Sequence, residues 1–316
     1  MTQRTVLQII NAVQQELGLP VSATIVGNSD LTTVQLYAFL NAANEELRDF
    51  NDDGWQALQT EFNLIVNVPV TTTGDTALNS AVITNIPDTS ALSASYWSVS
   101  GANIPQGARI LSVDSATQVT LTMEAVGAIV GTSIVFAQDT YAMPSDFKFY
   151  QNKTWWDRTN HWELLGPDSP QKDQWHRSGI VATGPRRHFR NIGPKTNTYR
   201  LWPPPAEIVA PIQIAFEYIS NNIVYVNGTS ALAISFANDA DIPVLDDRAL
   251  ILGTKWRLWE QKGLNWTSKR DEYDTYVERL AARDGGSETL NMVKRQNPIF
   301  LSPANVQDGF FPGPIS

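Results

Sequence analysis

The chain has no cysteine among its 316 residues. That excludes disulfides, thiolate metal sites, iron–sulfur clusters and cysteine nucleophiles, and it fits a protein made in a reducing cytoplasm. No apolar run approaches the roughly 18 residues that span a bilayer, and Met1 is followed by an amphipathic stretch instead of a signal peptide. The expected protein is soluble and unprocessed, with no membrane partner. Positive charge is also short, with 23 Lys plus Arg against 32 Asp plus Glu and a formal net charge of -9. Tightly held nucleic acid is therefore disfavoured, because such affinity comes mainly from Lys and Arg neutralising phosphates. A Gly-rich phosphate loop, a nucleophile elbow, a zinc-protease helix and a Ca-binding loop are missing as well. The expectation is no enzyme and no cofactor.

What is present is a globular composition. Hydrophobic residues make up 42% of the chain and charged residues 17%, enough apolar surface to offset chain entropy and enough length for two or three packed domains. Charge is uneven. Residues 1–63 hold 2 basic and 8 acidic side chains, 64–138 hold 1 and 4, 139–230 hold 10 and 8, and 231–316 hold 10 and 12. Only the third segment is basic. Within it stand Arg186, Arg187, Arg190, Lys195 and Arg200, and Trp155, Trp156, Trp162, Trp175 and Trp202 supply half of the 10 Trp. Aromatic density with Arg reads as packing or an interface.

Periodicity divides the chain further. Val6, Ile9, Ile10, Val13 and Leu17 recur at helical spacing behind Thr2 and Thr5 as N-caps. Leu36, Phe39, Leu40, Ala43 and Leu47 predict a second helix that ends at Asn51-Asp52-Asp53-Gly54. Phe62, Leu64, Val66 and Val68 alternate as a strand. Residues 71–138, rich in Thr, Ser, Ala, Val and Gly with Arg109 as the one basic residue, read as an inserted small β domain whose flanking strands could pair with each other. Residues 139–240 mix loops and strands, with a turn signal at Asn227-Gly228. Leu245–Leu264 and the stretch from Ser268 to Gly285-Gly286 predict an αα-hairpin around Gly263, with Ser268 and Asp271 resembling a capping box. Residues 291–316 form an extended apolar docking tail. The expected architecture is α+β: a helical core made of the N-terminal helices and the C-terminal hairpin, a central β segment and the inserted β domain.

Three groups carry chemical possibilities. His161, His176 and His188 fall within 28 residues, but spacings of 15 and 12 match no helix-face or hairpin ligand geometry, so they read as packing or hydrogen-bonding residues and no metal is expected. Asp157, Arg158 and Glu163 beside Trp155 and Trp162 have the residue types of a glycosidase site, or of a Trp-anchored loop in which Asp157 and Arg158 pair locally. The run from Arg186 to Arg200 suits either single-stranded nucleic acid or acidic side chains of a neighbouring copy. Trp256 and Trp259 read as a core stripe.

Six stretches share an order and spacing: YAMPSDF (141–147), WWDRTNHWELLGP (155–167), SGIVATGPRRHFR (178–190), LWPPP (201–205), IAFEYISN (214–221) and LGTKWRLWEQKGL (252–264). Together they resemble the head-to-tail adaptor proteins of tailed bacteriophages, over residues 1–70 and 139–290. The resemblance implies a structural virion protein of the neck. Such a protein is made in the host cytoplasm and forms a ring of usually twelve copies docked on the portal protein. The ring extends the DNA channel, through which DNA passes without specific binding, and offers a platform to tail tube, nozzle or tail fibre proteins. By position it implies portal docking by Phe300, Leu301, Phe310 and Phe311 in the tail, and the inter-subunit candidates are Trp155, Trp162, Arg186, Arg187 and Arg190. A tail-tube or tail-completion ring protein and a carbohydrate-binding tail component are the alternatives. The 71–138 segment departs from the simplest form of the family's pattern.

Overall fold

The computed structural model describes residues 3–177, 187–192 and 198–285. Two capped helices open the chain. Thr5 and Gln8 exchange hydrogen bonds in a capping box at the head of α1 (Val6–Glu16), and the Asp30 carboxylate accepts the Thr33 N–H at the head of α2 (Leu31–Phe50), satisfying helix-end donors that have no intrahelical partner. Beyond a turn at Gly54 the chain extends as β1 (Gln59–Val66). Six strands follow: β2 (Val70–Thr76), β3 (Val82–Thr84), β4 (Trp97–Gly101), β5 (Ile110–Ser115), β6 (Gln118–Leu121) and β7 (Ile129–Gln138). Short strands come next: β8 (Thr140–Ala142), β9 (Phe147–Tyr150), β10 (Trp156–Asp157) and β11 (Trp162–Glu163). After them come α3 (Pro170–Arg177), β12 (His188–Ile192), β13 (Thr198–Trp202) and β14 (Ile212–Ser220). The described part ends with β15 (Val224–Tyr225), β16 (Leu232–Ala233), β17 (Ile242–Pro243), α4 (Asp247–Gln261) and α5 (Thr267–Asp284).

Every ladder between these strands is antiparallel. They form four sheets: β1-β14-β10-β11 with β9 also on β14, β12-β13-β8, β16-β15-β17, and β4-β7-β2-β3-β6-β5. The expected helical core with a small β insertion is therefore wrong. The chain is mostly β-sheet, with five α-helices among the described residues, and the six-stranded sheet of residues 70–138 is the largest sheet. Signal strength explains the error: α1 and α2 bury one long stripe each, whereas β8 to β13 are two to five residues long, too short for alternation to declare itself.

The strands flanking residues 71–138 do not pair with each other. β1 lies on β14 in register from Gln59–Ile219 to Val66–Ile212, while β8 joins β13. β14 is the hub because almost all of it is apolar: Ile214, Phe216 and Tyr218 enter an aromatic core with Tyr141, Phe147, Trp155, Phe189 and Tyr199. Ile219 instead joins the core under α1, α2, α4 and α5, with Leu40, Leu47, Trp55, Ile251 and Tyr273. A third core, including Ile83, Val99, Ile110, Ile134 and Phe136, fills the six-stranded sheet.

Smaller differences follow local chemistry. Asp246 caps α4, whereas α5 starts behind Trp266 without a side-chain cap, so the Ser268–Asp271 box does not form. Residues 226–228 make a 3-10 turn with Asn227 at φ 48° inside a longer β15–β16 connection, not a two-residue hairpin. Trp256 is buried under Arg257 and Arg270, while Trp259 is half-buried beneath Lys269. No helix among the described residues is long and apolar enough to cross a membrane. The expected tail, with Phe300, Leu301, Phe310 and Phe311, and also Arg186, lie outside the described residues.

Gly54 gives a first test. Its φ is 79°, and an added Cβ would fall inside the Ile219 side chain and within 3.3 Å of the Phe149 ring; Gly18, at φ 68°, has nothing within 4 Å. Gly18→Ala is expected to cost only the left-handed backbone penalty, about 1–2 kcal/mol. Gly54→Ala should add an overpacking cost of about 1–3 kcal/mol. Urea denaturation of the two variants reads the difference directly; equal losses would place Gly54 in open space.

Candidate functional site

Five of the six sequence stretches contribute to one core, whereas the sixth, 252–264, packs in the core under the helices. The Trp155 indole is stacked between Phe189 at 4.1 Å and Phe216 at 3.8 Å, with Tyr150 and Tyr199 edge-on at 6.0 and 4.9 Å. Its exposure is 1%. Both faces of the ring of Trp155, an inter-subunit candidate from the sequence, are taken by its own chain. Trp162, directly opposite Asp157 on the two-residue β10–β11 ladder, is exposed, as are Trp156 and Trp175.

Beside this stack lies a cluster that sequence spacing had not assembled. Gly166 lets residues 165–168 run against β12: Leu165 N–H donates to the Arg187 carbonyl, Phe189 N–H to the Leu165 carbonyl, and Asp168 N–H to the Phe189 carbonyl. A Cβ on Gly166 would lie 2.6 Å from the Phe189 oxygen. Ser169 and Pro170 then start α3 as N-cap and first helical residue, with the Ser169 hydroxyl accepting the Lys172 N–H. Lys172 and His176 thus share a helix face above Asp168. His188, first in β12, completes the group.

The geometry is close. Asp168 Oδ2 is 3.5 Å from His176 Nε2 and 3.3 Å from His188 Nδ1, and the imidazole centroids are 4.6 Å apart. Asp168 and His176 side chains are 4% and 6% exposed. Lys172 Nζ sits 2.7 Å from Asp168 Oδ1 and 3.4 Å from His188 Nδ1. Its ammonium is close enough for an ion pair but not aligned for a hydrogen bond to Oδ1, which, like both ring nitrogens of His176, has no hydrogen-bond partner. Each buried polar group left so costs about 1–3 kcal/mol. Burial lowers the His188 pKa from its ordinary value; the Asp168 charge opposes this, and Lys172 and His176 reinforce it. His161 is elsewhere, exposed in the turn between β10 and β11.

The remaining candidates are engaged within the chain. Asp157 accepts from Thr159 N–H, Asn160 N–H and the Asn160 side chain, and Arg158 pairs with Glu61. Asp157 and Arg158 do not pair with each other, and the Asp157 carboxylate is committed to its own turn. Arg190 binds Asp173 at 2.6 Å, tying β12 to α3. Arg187 donates to the Pro203 carbonyl at 2.8 Å and lines a cleft of about 610 Å³ with Arg109, Asp139, Trp202, Pro203 and Glu207. That cleft lies where the six-stranded sheet meets β13.

No protein-family model matches the chain, and no curated protein is similar to it.

The sequence held one usable signal for the cluster. Asp168-Ser169-Pro170 announces a helix start, and a helix from Pro170 puts Lys172 and His176 one turn apart. Sequence alone does not place His188 with them, because its approach depends on the isolated bridge from Leu165, a residue in no strand, to the first residue of β12.

Proposed function

We propose that the chain is a structural virion protein, a head-to-tail adaptor that forms a ring, of twelve copies in the family it resembles, docked on a portal. The observation that carries this reading is the coherence of its sequence stretches. Tyr141 and Met143 of YAMPSDF, Trp155 and Leu164 of the Trp-rich stretch, Leu201 of LWPPP, and Ile214, Phe216 and Tyr218 of IAFEYISN all lie in one aromatic core. Words spread over 80 residues thus describe one structural unit instead of independent surface accidents. The distribution of side chains also suits assembly: Trp156, Trp162 and Trp175 are 38–54% exposed in the basic band, and aromatic and Arg side chains are the anchors of protein interfaces. The acidic N-terminal segment offers the complementary charge on a neighbouring copy.

The test is electron microscopy of the purified chain mixed with portal rings. The expected result is a second ring stacked on the portal. A chain that stays monomeric and does not associate would overturn the proposal. In the same preparation, Trp162→Ala is expected to lower ring yield without changing the melting temperature, since its ring is exposed; a loss of stability with normal ring yield would assign Trp162 to the fold alone.

A further inference from the structure

We propose that Asp168, His176 and His188 form a binding site for one divalent transition-metal ion of borderline softness, Zn²⁺ before others. One ligand atom from each residue lies within 4.8 Å of those of the other two. In a tetrahedral zinc site with bonds of about 2.0–2.1 Å, ligand atoms stand about 3.3 Å apart. Two of the three edges already have that length, 3.5 Å and 3.3 Å from the shared Asp168 Oδ2. Two imidazoles and a carboxylate suit Zn²⁺, Fe²⁺ or Co²⁺ rather than Mg²⁺ or Ca²⁺, which prefer oxygen ligands.

The second, independent observation is His176 itself. It is 5% exposed and neither ring nitrogen has a hydrogen-bond partner. A buried imidazole normally secures at least one. Nε2 faces Asp168, so a cation between them would satisfy it. The three residues come from different elements: the turn before α3, α3 itself and β12. An ion held by all three would pin α3 to the strand that stacks Phe189 on Trp155, so binding is expected to stabilise the fold by mass action.

Lys172 is the competitor. Its ammonium now balances Asp168, yet the side chain is 44% exposed, and it can swing into solvent as the ion enters. Lys172 therefore sets affinity, and its removal should tighten binding. This distinguishes a metal site from an ion-pair cluster, in which Lys172 would only stabilise.

The experiment uses the full chain after chelator treatment and dialysis. Zn²⁺ uptake is measured by calorimetry, and Co²⁺ uptake by the visible absorption of four-coordinate cobalt. One equivalent is expected, with a raised melting temperature. His176→Gln and His188→Gln, checked for folding by circular dichroism, should weaken binding at least about tenfold. Lys172→Met should strengthen it. Absence of uptake by both the parent chain and Lys172→Met would overturn the proposal. So would uptake of several equivalents indifferent to the His substitutions, the mark of scattered surface binding.

Discussion

Trp155→Ala is expected to lower stability by about 3–5 kcal/mol, the cost of emptying a large aromatic site in a packed core. The upper end applies here, because the ring is 1% exposed and stacked on both faces. Phe189 and Phe216 would lose their partner together, and they come from β12 and from the hub strand β14. The neighbours cannot close the gap easily: Tyr150 and Tyr199 meet the stack edge-on, so collapse would require their rings to turn. Trp155→Phe should recover part of the loss by restoring one aromatic plane. Urea denaturation at two protein concentrations is the measurement. A core role predicts the same loss at both concentrations, whereas a loss that vanishes on dilution would return Trp155 to a subunit interface.

That distinction marks the limit of what was legible in the chain. Trp155 and Trp162 belong to one Trp-rich stretch and differ in nothing local, yet one is central to the core and the other is exposed. Their fates separate because β10 and β11 are two-residue strands on the rim of a sheet, and such pairing is fixed by tertiary contact, not by alternation. The helices were legible for the opposite reason. Val6, Ile9, Ile10 and Val13 are all buried, so one stripe carried the whole signal of α1. Helical stripes stand out in the sequence, whereas strands of two to five residues leave no comparable pattern, so the β-rich fold class is hidden behind the helices.

The candidate metal site illustrates the same asymmetry. His161, His176 and His188 stand close in the sequence, but their spacings of 15 and 12 fit no single element. Nothing in the sequence around Asp168 marks it as a ligand. What joins Asp168 with His176 and His188 is backbone pairing of residues 165–168 with residues 187–189, a contact between two loops' worth of sequence that has no periodic signature. Discontinuous sites of this kind emerge only when topology is known.

Arg109→Met should cost about 3–5 kcal/mol, because removing one partner of a buried ion pair strands the other charge. Arg109 is the single basic residue between positions 64 and 138, and the chain uses it at the edge of the six-stranded sheet. Its guanidinium donates to Asp139 at 2.7 Å, to the Thr140 hydroxyl at 2.9 Å and to the Ser95 carbonyl. Asp139 is 2% exposed, and its carbonyl accepts the Leu201 N–H, so the pair links that sheet to β13. Burial pushes the Asp139 carboxyl above its ordinary pKa, with Arg109 pulling the other way. A folded-state pKa above the unfolded one means that the folded chain binds the extra proton between the two values, so stability falls as pH rises through that window. Without Arg109 the strongest opposing charge is gone and the window widens upward. The deficit of Arg109→Met should therefore be largest at neutral pH and shrink on acidification, when protonation removes the stranded charge. Adding Asp139→Asn should recover much of the loss and flatten its pH dependence. Denaturation midpoints across the acid-to-neutral range test both statements, and a deficit independent of pH would show that Asp139 is rehydrated once Arg109 is removed.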